Sequence, residues 1–224
     1  MSQFSNRRPA LPSRVAKSAV EALFTLRGWT IEGLPPAIPK FVITAAPHTT
    51  NWDFVTFAGA AEKAGIEPAF MGKHTLFQGF MGNFMRDMGG ISIDRSRRAN
   101  TTQQVAEQFA RAERLALVIA VEGSRGSKGE WRSGFYHIAQ AADVPIVPAF
   151  ADAARKVVGF GPPLTPSGDY PADLAKLAHW MRARLPDLDR FKVLEAQAAR
   201  LLAETERAPA RSTTDHPTGE EHGS

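Results

Sequence analysis

Cysteine is absent from this 224-residue sequence, which excludes disulfide scaffolds, thiolate catalysis, Cys-ligated zinc and iron-sulfur clusters together. Long apolar runs are missing too. The longest clean stretch, Leu115 to Val121, is strand-sized, well short of the ~18 to 20 residues that a membrane-spanning helix requires. A secretory signal is not expected, because Pro9 and Pro12 precede a segment interrupted by Arg14, Lys17 and Glu21 without a continuous apolar centre. No internal repeat is visible. With 18 glycines, 16 prolines and 22% charged residues, usage is close to ordinary, which sets aside collagen-like and low-complexity chains. A cytoplasmic chain is expected, one that can rest on the inner face of the cell membrane.

What is present suits one globular domain with a short appendage: 43% of the residues are hydrophobic, enough for a sizeable core. The formal charge of +4 is concentrated at the front. Residues 1–28 hold Arg7, Arg8, Arg14, Lys17 and Arg27 against Glu21 alone, whereas 205–224 are net acidic. A basic front end can meet nucleic acid or the anionic face of a membrane. From Ser13, read as an N-cap, the apolar positions Val15, Ala19, Ala22 or Leu23, and Leu26 recur every three or four residues up to Gly28. Such a helix either packs on the domain through that face or lies in a membrane interface. Residues 1–34 thus form a basic leader with an amphipathic helix, 35–204 the main domain, and 205–224 a disordered tail that lacks large apolar residues.

Within the main domain, strand-like runs alternate with helical patterns. FVITAA (41–46) is a near-continuous apolar run, and Trp52 to Gly65 follows helical period. A helix from about Thr101 to Arg114, the strand LALVIAV, a helix from Gly134 to Ala142 and the strand IVPAF come next. Helical patterns also cover 173–185 and 188–204. The expected fold class is α/β: a mainly parallel central sheet covered by helices on both faces, preceded by the N-terminal amphipathic helix.

Three segments carry candidate chemistry. In APHTTNWDF, His48 lies at the carboxyl end of a buried strand, and Asp53 in the first turn of the next helix can reach back to the imidazole. That is a base with its orienting acid but no serine or cysteine nucleophile beside it, so the nucleophile would belong to a substrate. The pair alone serves equally well as a helix cap and a polar filler. In GGISIDRSRR, Asp94, Arg95, Arg97 and Arg98 follow a short strand, either as a solvated loop or as an anion-binding rim, since guanidinium groups grip phosphate bidentately. In VEGSRGSKGEWRSGF, Glu122, Gly123, Ser124 and Arg125 occupy a glycine-permissive turn after the apolar strand. Such a turn can converge amides, a hydroxyl and a guanidinium on an oxyanion or phosphate, although it lacks Walker spacing. The segment 70–88 collects Phe70, Met71, Phe77, Phe80, Met81, Phe84, Met85 and Met88; it is either plain core or an adaptable wall for an acyl chain.

Taken in order, HTTNWD, GGISIDR, EGSR and VPIVP (144–148) resemble the four blocks of the glycerophospholipid acyltransferase family, and in particular the lysophosphatidic acid acyltransferases. The match spans about residues 40–150, with Ser124 replacing the usual threonine and keeping its hydroxyl. The resemblance implies a glycerol-3-phosphate acyltransferase-like fold for an acyltransferase domain at 35–204. It implies transfer of a fatty acyl group from acyl-CoA or acyl carrier protein to a lysophospholipid hydroxyl, with 1-acylglycerol-3-phosphate giving phosphatidic acid as the leading case and another lipid or lipid-linked acceptor as the alternative. His48 and Asp53 would be catalytic. Asp94, Arg95, Glu122, Gly123, Ser124 and Arg125 would bind substrate. No metal or cofactor is implied, nor nucleic acid as a partner.

Two other classes compete. A metal hydrolase built on His48, Asp53, Asp94 and Glu122 would need more closely clustered ligands, and His74, His137 and His179 have no ligand-like spacing with His48. A non-enzymatic nucleic-acid or anionic-membrane binding module would suit the pI of about 9.6, but it leaves the strand-end motifs unused.

Overall fold

The computed structural model describes residues 10–33, 37–47, 51–93, 101–123 and 128–211, with the backbone alone at 51, 53, 54, 80 and 208–211. It begins with α1 (Leu11–Leu26) and β1 (Thr30–Glu32), then β2 (Lys40–Ala46), α2 (Asn51–Lys63) and β3 (Pro68–Lys73). A 3-10 turn (His74–Phe77), α3 (Gly79–Asp87), β4 (Gly90–Ile93), α4 (Thr101–Arg111) and β5 (Leu115–Ala120) follow. The chain continues through α5 (Gly134–Ala141), β6 (Ile146–Asp152), β7 (Val157–Phe160), α6 (Tyr170–Arg184) and α7 (Asp189–Arg211).

The seven strands form one sheet in the order β1-β7-β6-β2-β5-β3-β4. Every neighbouring pair is parallel except β6 and β7. Central strands of such a sheet are buried on both faces, which is why FVITAA and LALVIA read as unbroken apolar runs. Alternate residues of β2 serve opposite layers. Val42 joins a core with Leu117, Ile146 and Phe150 that is closed by Phe109 of α4, Tyr136 of α5, Leu174 of α6 and Phe191 of α7. Ile43 joins the other core, with Val147 and Val158, closed by Phe24 of α1 and by Phe57, Ala60 and Ala61 of α2. Helices therefore cover both faces, and the α/β expectation holds.

The N-terminal helix forms where the sequence places it but differs in how it is seated. Ser13 is not the N-cap. It lies inside the first turn, 1% exposed, and its Oγ donates to Asp87 Oδ2 at 3.0 Å; the same carboxylate oxygen accepts from the Ala10 N–H at 2.9 Å. An acid from α3 thus caps α1, and Pro12 in the first turn gives up a donor that would be unpaired there anyway. Docking also uses the opposite face. Val20 and Phe24 press on α2 at Gly59, where an added Cβ would stand 2.6 Å from Phe24 Cβ and 2.9 Å from the Val20 carbonyl oxygen. Val15, Ala19, Ala22 and Leu26 are exposed instead.

Two further differences concern the C-terminal half. Helix α7 runs on to Arg211, so residues 205–211 are helical rather than part of a disordered tail; the lack of large apolar residues removes a core contact but not the helix propensity of Glu206, Arg207 and Ala208. Residues 212–224 lie outside the described residues. Helix α6 starts at an Asp169 N-cap that accepts from the Ala172 N–H at 3.0 Å. Behind it the fully buried Asp173 accepts from the Tyr136 hydroxyl (2.9 Å), the Ser167 N–H (2.6 Å), the Ser167 hydroxyl (2.8 Å) and the Lys176 ammonium (2.9 Å). Burial pushes the Asp173 carboxyl up, but this ring of donors outweighs it and holds the pKa below the ordinary carboxylate value. Burial, and then the hydrogen bond to Asp173, raises that of the Tyr136 phenol.

Candidate active site

The ends of β2 and β5 position the site. These strands are adjacent and in register at Ala45 and Ala120, so the two segments that leave them, Pro47 onward and Val121 onward, emerge side by side at the carboxyl edge of the sheet. Ligands of open α/β sheets bind at that edge. His48 directly follows Pro47 and lies outside the described residues, as do Ser124 and Arg125, which follow Gly123. Asp53 sits in the first turn of α2, with its side chain outside the described set. Asp94 and Arg95, with Arg97 and Arg98, also lie outside it and follow Ile93, the last residue of β4. Strand β4 stands two places beyond β5 in the sheet. All three motif segments thus leave the same edge.

A cavity of about 400 Å³ lies against this edge, between the sheet and the α1–α2 pair. Its walls are Ala45, Ala46, Ala69, Val118, Ala120, Ala149 and Phe150 from the strands and Val20, Phe57 and Ala58 from the helices. Pro47 and Gly123, the immediate neighbours of His48 and Ser124, line it as well. Lys17 and Glu62 also line it, paired at 3.5 Å across the α1–α2 contact. The volume and the apolar walls are those of a small-ligand pocket. The Phe- and Met-rich segment divides. Phe70, Met71 and Met88 line the cavity, Phe77 is buried core, and Met81 is 53% exposed.

Among the predicted substrate-binding residues, Glu122 and Gly123 are described. Gly123 has φ +74°, a left-handed conformation that suits glycine, and an added Cβ would fall on the Arg132 side chain. Glu122 is 2% exposed and is held in an ion pair: Arg190 Nη1 donates to Oε1 at 2.8 Å and to Oε2 at 2.6 Å. This partner from α7, 68 residues further on, has no local sequence signal. At the neighbouring strand end, His74 Nδ1 is 3.1 Å from Ser92 Oγ. Among the described residues no three His, Asp or Glu side chains gather where they could hold a metal ion, and no helix is long and apolar enough to cross a membrane.

By sequence order, the segments that carry His48, Asp53 and Gly123 thus start from the same edge of the sheet as the apolar cavity. No curated protein matches the sequence. The fold is similar to that of the 1-acyl-sn-glycerophosphate acyltransferase of Thermotoga maritima, with 17% identity, 85% of this chain and 80% of that chain covered, and a TM-score of 0.51. The family model described as Acyltransferase matches residues 31–151, a span that holds all four sequence blocks. Over half its length, and through the strands that form the carboxyl edge, the chain belongs to the acyltransferase family.

Proposed function

We propose that the protein transfers a fatty acyl group from acyl-CoA or acyl carrier protein to the free hydroxyl of a lysophospholipid, with 1-acylglycerol-3-phosphate as acceptor and phosphatidic acid as product. The observation that carries this reading is the apolar cavity whose lining includes the residues next to His48 and Ser124, in a member of the acyltransferase family. The cavity takes the acyl chain and leaves the thioester carbonyl at the strand edge.

His48, held in one tautomer by Asp53, removes the proton of the acceptor hydroxyl as its oxygen attacks the carbonyl carbon. The new C–O bond forms an ester, the C–S bond breaks, and the leaving thiolate takes the proton from His48. Turn amides beside Gly123 stabilise the oxyanion that develops between these events. Arg125 grips the acceptor phosphate with its planar fork, and Asp94 and Arg95 shape the headgroup side. The protein itself supplies the base and the oxyanion donors, and the thioester is a co-substrate.

We further propose that the enzyme works at the inner face of the cell membrane, held there by α1. Its acceptor and product are lipids, and α1 carries an exposed apolar stripe beside Arg14.

Thioester consumption with a panel of phosphorylated and unphosphorylated acceptors, read by mass spectrometry, tests the reading. His48→Ala should lower turnover by ~100- to 10,000-fold while the fold persists, and Asp53→Ala somewhat less. Near wild-type turnover of purified His48→Ala would refute the mechanism, and a preference for an unphosphorylated acceptor would move the substrate to another lipid-linked alcohol.

A further inference from the structure

Residues 122–131 leave β5 and return to α5, and the part that bears Ser124 and Arg125 lies between two described shoulders. Both shoulders are fastened to one helix. On the outgoing side, Glu122 is enclosed and, among the described residues, its two carboxylate oxygens share one donor, Arg190 Nη1. On the returning side, Gly129, with φ +109°, lies so close to the first turn of α7 that an added Cβ would stand 2.8 Å from Arg190 Cα. Two residues on, the Gln197 side chain pairs with the Trp131 backbone as a neighbouring strand would: the Trp131 N–H donates to Oε1 at 2.8 Å, and Nε2 donates to the Trp131 carbonyl at 2.9 Å. Arg200 adds a 3.3 Å contact to Glu130. Arg190 and Gln197 are seven residues apart and so share a face of α7, the face whose Phe191, Leu194 and Ala198 enter the core. The loop base is pinched by the Arg132 N–H donating to the Val121 carbonyl at 2.9 Å.

Such fastening exceeds what a surface loop requires. Ordinary loops tolerate motion, whereas a turn that must present amides and a guanidinium to an anion loses activity when it is misplaced by about an ångström. Helix α7 lies wholly beyond residues 31–151, so the clamp is supplied from outside the part that matches the family model.

We propose that α7 is the positioning element of the segment between Glu122 and Trp131 and that Arg190, acting through Glu122, is the positioning residue that sets the affinity for a phosphorylated acceptor. Glu122 is occupied by Arg190 and anchors the turn rather than touching the headgroup. The inference rests on the acyltransfer reading for the identity of the ligand and on α7 alone for the mechanics. Because one nitrogen of Arg190 makes both contacts, a lysine ammonium can take its place, in contrast to a site that uses the bidentate fork.

The experiment uses the full chain with three variants: Arg190→Met, Arg190→Lys and the double change Glu122→Gln with Arg190→Met, which leaves no lone buried charge if the single variant fails to fold. Two readouts are taken. Amide hydrogen exchange of 121–132 should quicken by about tenfold or more in Arg190→Met and in the double variant, with β2 and β6 unchanged. With 1-oleoylglycerol-3-phosphate and palmitoyl-CoA, KM for the acceptor should rise by ~10- to 100-fold while that for the donor holds, and Arg190→Lys should recover most of the loss. Unchanged exchange in the loop, equal loss on acceptor and donor, or a lysine variant as poor as methionine overturns the clamp. If the wild type acylates no acceptor, the acyltransfer reading falls by itself and the exchange data still decide the mechanics.

Discussion

The exposed face of α1 allows a quantitative test of membrane attachment. Leu11, Val15 and Leu26 are 71%, 60% and 84% exposed and lie on one side of the helix, while Val20 and Phe24 on the other side hold it against α2 at Gly59. The triple change Leu11→Gln, Val15→Gln and Leu26→Gln therefore removes the apolar stripe without touching the docked face. Full burial of a Leu or Val side chain is worth ~1.5 to 3 kcal/mol. A helix lying in the interface recovers part of that, about 1 kcal/mol per residue, so the variant should lose about 3 kcal/mol of surface affinity, roughly a hundredfold in partition. Charge acts less strongly. Arg14 is exposed on the flank of the stripe, and Arg14→Gln should cost about 1 kcal/mol on anionic vesicles. Lys17 is 19% exposed and paired with Glu62, so Lys17→Glu would set two acids against each other inside the α1–α2 contact and would report on helix docking instead of lipid binding. Co-sedimentation with phosphatidylglycerol-rich vesicles reads the partition, and circular dichroism checks that the helices persist. If the triple variant sediments as the wild type does, α1 is no membrane contact and the attachment argument fails.

Two other perturbations separate site from scaffold. Arg125→Lys should impair phosphorylated acceptors by at least about tenfold and leave an unphosphorylated one nearly unchanged, because a point charge cannot reproduce the guanidinium fork; equal losses on both would make Arg125 structural. Asp173→Asn should cost ~2 to 4 kcal/mol at neutral pH, since the amide offers one acceptor oxygen where the carboxylate uses two and turns its NH2 group toward a donor. The folded-state pKa of Asp173 is lowered, so its contribution is present above pH ~4 and is lost as pH falls through the depressed value. Thermal unfolding between pH 6 and pH 3 should therefore fall less steeply in the variant, and parallel slopes would refute the assignment.

What could be read from the sequence follows from burial. β2, β5 and β6 are covered on both sides and announce themselves as apolar runs, whereas β1 and β7 are short strands at one side of the sheet whose few residues resemble any loop. The docking face of α1 is not legible in the sequence, for a definable reason. Apolar residues occupy both sides of this helix, Val15, Ala19 and Leu26 on one and Val20 and Phe24 on the other, and periodicity finds the stripes without choosing which one docks. The choice is made by Gly59, through which the backbones approach, and by Asp87, which caps α1 from 74 residues beyond Ser13. The ends of β2, β4 and β5, from which the motif segments start, are legible because each closes an apolar run. The α7 clamp is not, because Glu122 with Arg190 and Trp131 with Gln197 are meetings across 68 and 66 residues.

The end of β5 shows how this edge can be both fixed and open, because consecutive residues there meet different surroundings. Ala120 lines the cavity beneath α1 and α2, Val121 enters the core shared with α4 to α7, Glu122 is held by α7, and Gly123 returns to the cavity lining. Within four residues the chain touches an apolar pocket, the main core, a buried ion pair and the pocket again. A turn tied in this way has one wall that is packed and charged, which restrains it, and another that is empty and apolar, which admits a chain. The β2 end repeats the pattern on the adjacent strand, with Ala45 and Pro47 at the cavity and Val42 in the main core. On the proposed reading, the α4 to α7 layer holds the edge in place and the α1–α2 layer leaves room for a lipid tail, with the carboxyl edge of β2 and β5 as the line where the two meet.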